Sequence, residues 1–222
     1  MNASAELFRR QGYTGTGLKQ VVAEAEAPFG SIYHFFPGGK EQLGDEVIRV
    51  AGAFFLQLFE TIADESPNHP AAVKNFFAGA AETLRATDYQ DACPIATVAL
   101  EVASTNETLR EATSDVFESW IDAATDRGIA AGLTRAAARK LAIGMICSLE
   151  GAFVLSRAMR STEPLEVTGA QATAAIRAAL AAAPKRRSAT TARSPARAAG
   201  RSPGTRAPRR SRARRTAAPS AR

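Results

Sequence analysis

Between Gln42 and Ala183 the chain is rich in helix formers, sparse in proline and glycine, and nowhere alternates apolar with polar residues for long. A half-buried strand needs that alternation, whereas helices need long runs free of breakers. The pattern predicts an all-α body. Helices are expected at about 3–11, from Thr16, at 28–36, and then at 40–63, 70–87, 93–104, 106–132, 134–160 and 164–183. Thr16 can cap the second helix by accepting an amide hydrogen bond, and Thr105 and Thr134 can do the same further on. Pro28 suits a first helical turn, and Pro37-Gly38-Gly39 stops the third helix sharply. Three short helices joined by tight turns fit a helix-turn-helix module.

Charge divides the chain in two. Residues 184–222 hold thirteen of the 28 Lys and Arg and no acid, which leaves 15 basic against 22 acidic residues in 1–183. An acidic globule therefore carries a basic appendage. The appendage has no leucine, isoleucine, valine or aromatic residue, cannot bury a core, and is expected to be disordered. It is either a solubilising extension or an arm that binds DNA irrespective of sequence through counterion release.

Other classes fit poorly. The start, MNASAELFRRQG, lacks a basic segment followed by an apolar one, so it does not read as a signal peptide. No apolar run reaches the roughly 18 residues of a membrane span, and no membrane partner is expected. His34 and His69 are too few and too scattered for a metal site. Cys93 and Cys147 read as core thiols, with redox sensing as the alternative. No nucleophile–base–acid set or phosphate loop is present, so neither an enzyme nor a cofactor is expected.

The stretch AELFRRQGYTGTGLKQVVAEAEAPFGSIYHFFPGGKEQL, Ala5 to Leu43, resembles the tetracycline-repressor (TetR) family of bacterial transcription regulators. DACPIATVALEV from Asp91 and SLEGAFVLSRAMRSTEPL from Ser148 resemble its LmrA/YxaF-type subgroup. The likeness spans about residues 1–182. It implies a DNA-binding domain over 1–46 with a shortened first helix, a helical effector-binding and dimerisation domain over 47–183, and the Arg-rich tail at 184–222.

The resemblance also implies roles. Thr16 and Gly17 would lie against phosphate, where helix amides attract the anion. Pro28, Phe29, Gly30 and Ser31 would meet base edges in the major groove, about 12 Å wide. Tyr33 and His34 would donate to phosphates or bases, and Lys40 would reach the backbone. Ile32, Phe35, Phe36 and Leu7 would form the module's core. The chain departs from the family pattern at Glu26, where glycine is common, at Gly17, where Ser or Thr is common, and at Phe29, where Lys or Arg is common. Phe29 is either a base contact or a core aromatic.

Phe54, Phe55, Phe76, Phe77, Phe117, Trp120, Met145, Leu149 and Phe153 are each ordinary core candidates. Together they make the aromatic-rich domain in which the family keeps its effector cavity, with Glu101, Asn75 and Glu150 as possible polar anchors. Gly144, Ser148 and Gly151 form a small-residue face, with Leu155 beside it, for a dimer interface or for packing within the chain. The expected protein is a cytoplasmic, nucleoid-associated homodimer that binds a double-stranded DNA operator and releases it to a small apolar effector. Two alternatives stand beside it: an architectural DNA-binding protein acting through the tail, and a ligand-binding module with a decayed DNA reader.

Overall fold

The computed structural model describes residues 2–183. Every regular element among them is a helix: α1 Asn2–Gln11, α2 Leu18–Glu24, α3 Phe29–Phe35, α4 Gly39–Glu65, α5 His69–Ala86, α6 Pro94–Val102, α7 Glu107–Ala130, α8 Arg135–Met159 and α9 Glu163–Ala182. The all-α expectation holds. The Arg-rich segment, with its expected disorder and DNA contact, lies outside the described residues.

The helices begin where side chains replace missing backbone partners. Asn68 accepts from the Ala71 amide at 3.0 Å, and Thr134 accepts from Ala137 at 3.3 Å. Two expected caps are corrected. Asn106, not Thr105, caps α7 by accepting from Leu109 at 2.9 Å. The residue flanking α2 is Gly17, because the Thr16 hydroxyl points back and donates to the Gly12 carbonyl at 2.7 Å.

Glu26 sits in the left-handed region, with φ 49°. The Ala27 amide donates to the Val22 carbonyl at 2.9 Å, so the α2–α3 turn closes only if the chain reverses its twist here. Glycine adopts that conformation without a Cβ penalty. Glu26→Gly should therefore raise the denaturation midpoint, with a gain of about 1 kcal/mol.

Two apolar cores organise the body. Leu7, Phe8, Val21, Val22 and Ile32 of the short helices pack with Leu43, Val47 and Ile48 of α4, Ile95 and Val98 of α6, and Leu109 and Val116 of α7. The second core joins Phe59, Val73, Phe77, Leu84, Met145, Leu149, Leu165 and Ile176. Phe117 and Trp120 of α7 touch both. The helix-turn-helix module thus shares its core with the larger helices. α4 runs unbroken through residues 46 and 47, the expected domain boundary. At Gly52 a Cβ would lie 2.5 Å from Val116, so glycine is what lets α4 approach α7, and the Trp120 indole donates to the Gly52 carbonyl at 2.9 Å.

Phe35 is corrected from core to surface. In a seven-residue helix the inward stripe is narrow and takes Ile32, then Phe36 just beyond the end. Phe35 lies one step of about 100° away from Phe36 and faces solvent.

Candidate DNA-reading face and effector cavity

α3 turns its outer face to solvent. Phe29 and Tyr33, about half exposed, pack edge to face with ring centroids 5.9 Å apart. Pro28, Gly30 and His34 are exposed beside them. Phe29 is therefore a surface aromatic and not a core one. A Cβ at Gly17 or Gly30 would meet nothing within 4 Å, so the backbone is open to close approach at both. The Ser31 hydroxyl is committed to its own turn, donating to the Pro28 carbonyl at 2.6 Å.

Thr16 and Lys40 behave differently from the rest. Thr16 is fully buried; its amide donates to the Tyr13 carbonyl and its hydroxyl accepts from Gln11 at 3.2 Å. It shapes the α1–α2 turn and presents no group to a phosphate, which corrects the expected contact. The Lys40 ammonium lies 4.3 Å over the Tyr13 ring and 3.5 Å from the Thr14 carbonyl. Burial lowers its pKa, partly countered by Glu101. A cation held against an aromatic face is presented in a fixed place.

The second site is a cavity of about 390 Å³ between α4, α5, α7 and α8. Phe54, Phe55, Phe76, Trp120, Met145, Leu149 and Phe153 line it as expected sequence candidates. Its aromatic rings are mutually set edge to face, Phe55 against Trp120 at 6.3 Å and Phe59 against Phe76 at 5.4 Å. One end is polar. Arg9 of α1, Asp91, Cys93 and Glu150 all contribute to the wall. Arg9 pairs with Asp91 at 3.1 Å, and Arg10 approaches the same carboxylate at 3.6 Å. Asp91 Oδ1 and Arg9 Nε are buried without a hydrogen-bond partner among the described residues.

Burial pushes the Glu150 carboxyl up to about 7, and the nearby Cys93 thiol only partly opposes this. Burial also pushes the Cys93 thiol up. A raised carboxyl pKa favours the folded state at low pH, where the group is neutral in both states. That advantage is lost as pH rises to about 7, a change on the order of 3 kcal/mol at most. Glu150→Gln should remove this slope, so that denaturation at mildly acidic and neutral pH gives nearly equal stability.

A family model described as bacterial regulatory proteins, tetR family, matches residues 1–47, and one for the C-terminal domain of LmrA/YxaF-like transcriptional regulators matches 70–171. YxaF of Bacillus subtilis, an HTH-type transcriptional regulator, is 32% identical over 80% of this chain and 93% of its own length. The chain belongs to the TetR family. It is a DNA-binding transcriptional regulator. LmrA of the same organism is 28% identical over 74% of this chain and 88% of its own, and the repressor DhaR of a Mycobacterium is 30% identical over 72% and 82%. A TetR regulatory protein from Rhodobacter sphaeroides shares the fold, with a TM-score of 0.70 and 21% identity over 78% of this chain and 95% of that one.

In this TetR-family chain four residues expected in the cavity lie elsewhere. Phe77 is buried in the second core, where Gly169 of α9 packs directly on its ring. Phe117 stacks edge on against Trp120 at 5.6 Å and does not reach the cavity wall. Glu101 reaches away to the DNA-reading module and accepts from the Thr14 amide at 2.7 Å. Asn75 is also spent, donating to Ser66 at 3.1 Å. Sequence reasoning missed Arg9, Asp91 and Phe59. No local pattern marks a contact between residues 9 and 91.

α8 is long and apolar enough, by length and composition alone, to cross a membrane. Its inner face, Met145, Leu149 and Ala152, is core. Its outer face holds Gly144, Ser148, Gly151 and Leu155 together with Ile143, Val154 and Met159. Among the described residues, a Cβ at Gly144 or Gly151 would meet no atom within 4 Å, so packing between these helices does not account for the small residues there. Cys147 is exposed on this face, which corrects its reading as a core thiol.

Proposed function

We propose that this regulator is a homodimeric repressor that holds operator DNA through the outer face of α3 and lets go when a small, largely apolar effector fills the cavity. One observation carries the coupling: Arg9, a residue of the DNA-reading module, is itself part of the cavity wall and is paired there with Asp91. An occupant at that end competes for, or reorients, the group that anchors α1. Ligand acts on DNA affinity only through such a difference in contact between the two states.

In this reading Phe29, Gly30, Tyr33 and His34 face the major groove, with Pro28 and Gly17 close to the backbone and Lys40 on a phosphate. Ser31 shapes the start of α3. The exposed apolar face of α8, continued by Val167 of α9, is the dimer surface; an uncovered patch of this kind in a protein working in water calls for a partner. The protein works in the cytoplasm, on DNA. The name of DhaR, a repressor, supports the negative sign of control.

A reporter driven by the gene's own upstream region tests this reading. Expression should be low with the regulator and rise with a compound that quenches Trp120 fluorescence. Compounds that fill the cavity without changing DNA affinity would sink it.

A further inference from the structure

The polar end of the cavity holds one charge pair and one carboxyl without a counter-ion. Arg9 and Arg10 are matched by Asp91 and Glu6. Glu150, from the middle of α8, has no ion pair among the described residues and stands with the Cys93 thiol in the cavity wall. The other charged or titratable groups near its wall are already engaged. Arg157 donates to the Tyr89 and Gln90 carbonyls at 3.3 and 3.2 Å, and Glu101 is held by Thr14. Tyr89 lines the far side of the same wall. The rest of the cavity is aromatic and aliphatic.

A lone carboxylate in apolar surroundings is costly unless a cation meets it, and aromatic faces attract cations. We infer that the cavity is built for a lipophilic organic cation, an amine with an apolar body, whose ammonium pairs with Glu150 while its body lies against Phe55, Phe59, Phe76 and Trp120. Asp91, paired with Arg9 at 3.1 Å and approached by Arg10 at 3.6 Å, lies in the same wall and is already spoken for, which leaves Glu150 as the carboxyl open to the ammonium. This rests on the effector-cavity reading above and names the ligand class.

The empty site holds Glu150 poised near neutral pH. When the ammonium binds, Glu150 gives its proton to solvent and the ion pair forms, so binding of the cation releases up to one proton. Cation affinity must therefore fall as pH drops below about 7. A neutral ligand accepting a hydrogen bond from protonated Glu150 would show the opposite trend.

Two probes of nearly equal shape separate these cases: 1-pyrenemethylamine, charged near neutral pH, and 1-pyrenemethanol, neutral. Energy transfer from Trp120, the sole tryptophan and a wall of the cavity, reports binding to the full chain. The expected result is amine binding at least about tenfold tighter than alcohol near pH 8, falling about tenfold toward pH 6, with alcohol binding flat. Glu150→Gln should erase the preference while both probes still bind. The pH series on the unaltered protein stands even if that variant misfolds. Equal affinity for the two probes, or alcohol binding that strengthens toward acid, overturns the cation assignment and leaves the cavity reading intact. Binding of neither probe overturns both.

Discussion

A chain carrying Val154→Arg and Leu155→Arg should sediment as a monomer and lose operator affinity by about 100-fold or more. Both side chains are more than half exposed on the outer face of α8, beside Gly144, Ser148 and Gly151, where none of the described helices covers them. In a two-fold dimer the same patch faces itself, so each new charge appears twice across the interface. Buried arginines facing one another without counter-ions are strongly unfavourable. The inner stripe of α8, Met145, Leu149 and Ala152, is untouched, so helicity and thermal stability of the monomer should persist. A dimer whose two readers act together gains affinity by effective concentration, which the monomer forfeits. Analytical ultracentrifugation with DNA-binding anisotropy checks both halves; a variant that still sediments as the parent would place the dimer surface elsewhere.

Asp91→Ala should cost about 2–3 kcal/mol of stability. It should also weaken repression without touching any residue of the DNA-reading face. The Asp91 carboxylate is 9% exposed, and the Arg9 side chain facing it is 27% exposed. Removing the acid leaves a half-buried guanidinium with only a distant Glu6 contact at 3.9 Å. Because water still reaches the pair, the loss falls just below the roughly 3–5 kcal/mol that broken, fully buried pairs cost. The more telling consequence is functional. α1 loses its tether to the cavity wall, so a cavity occupant should change operator affinity much less in Asp91→Ala than in the parent. Urea denaturation measures the first effect and competition anisotropy with probe present measures the second. Unchanged ligand sensitivity would mean that coupling runs through another contact.

Much of the architecture is legible in the sequence because helix ends carry their own chemistry. Thr134 caps α8, prolines sit in the first turns of α5 and α6, and α3 ends at the Pro-Gly-Gly break, all as local rules require. Faces are harder. The long helices of this body are apolar on more than one side, so periodicity says that Phe77 and Phe76 point in different directions but not which direction holds a cavity. Phe59, Phe76 and Phe77 divided between core and cavity only once α4, α5 and α9 were in place. Glu101 looked like a cavity anchor, being an acid on an apolar helix, yet it reaches α1–α2 instead. Arg9 and Asp91 carry no local mark at all: a pair 82 positions apart leaves no trace in either neighbourhood. Thr16 failed by orientation, since a threonine before a helix can cap it or bond backward, and only the turn geometry decides.

The central claim is that the helical body, residues 2–183, reads a specific DNA sequence as a dimer, independently of the basic segment after it. Selection from a random DNA pool with the full chain and with a chain ending at Ala183 tests this most directly. The account predicts the same palindromic site from both, with the shorter chain binding more weakly and with a shallower salt dependence. Loss of all sequence enrichment in the shorter chain, or enrichment of no palindrome by either, would contradict it.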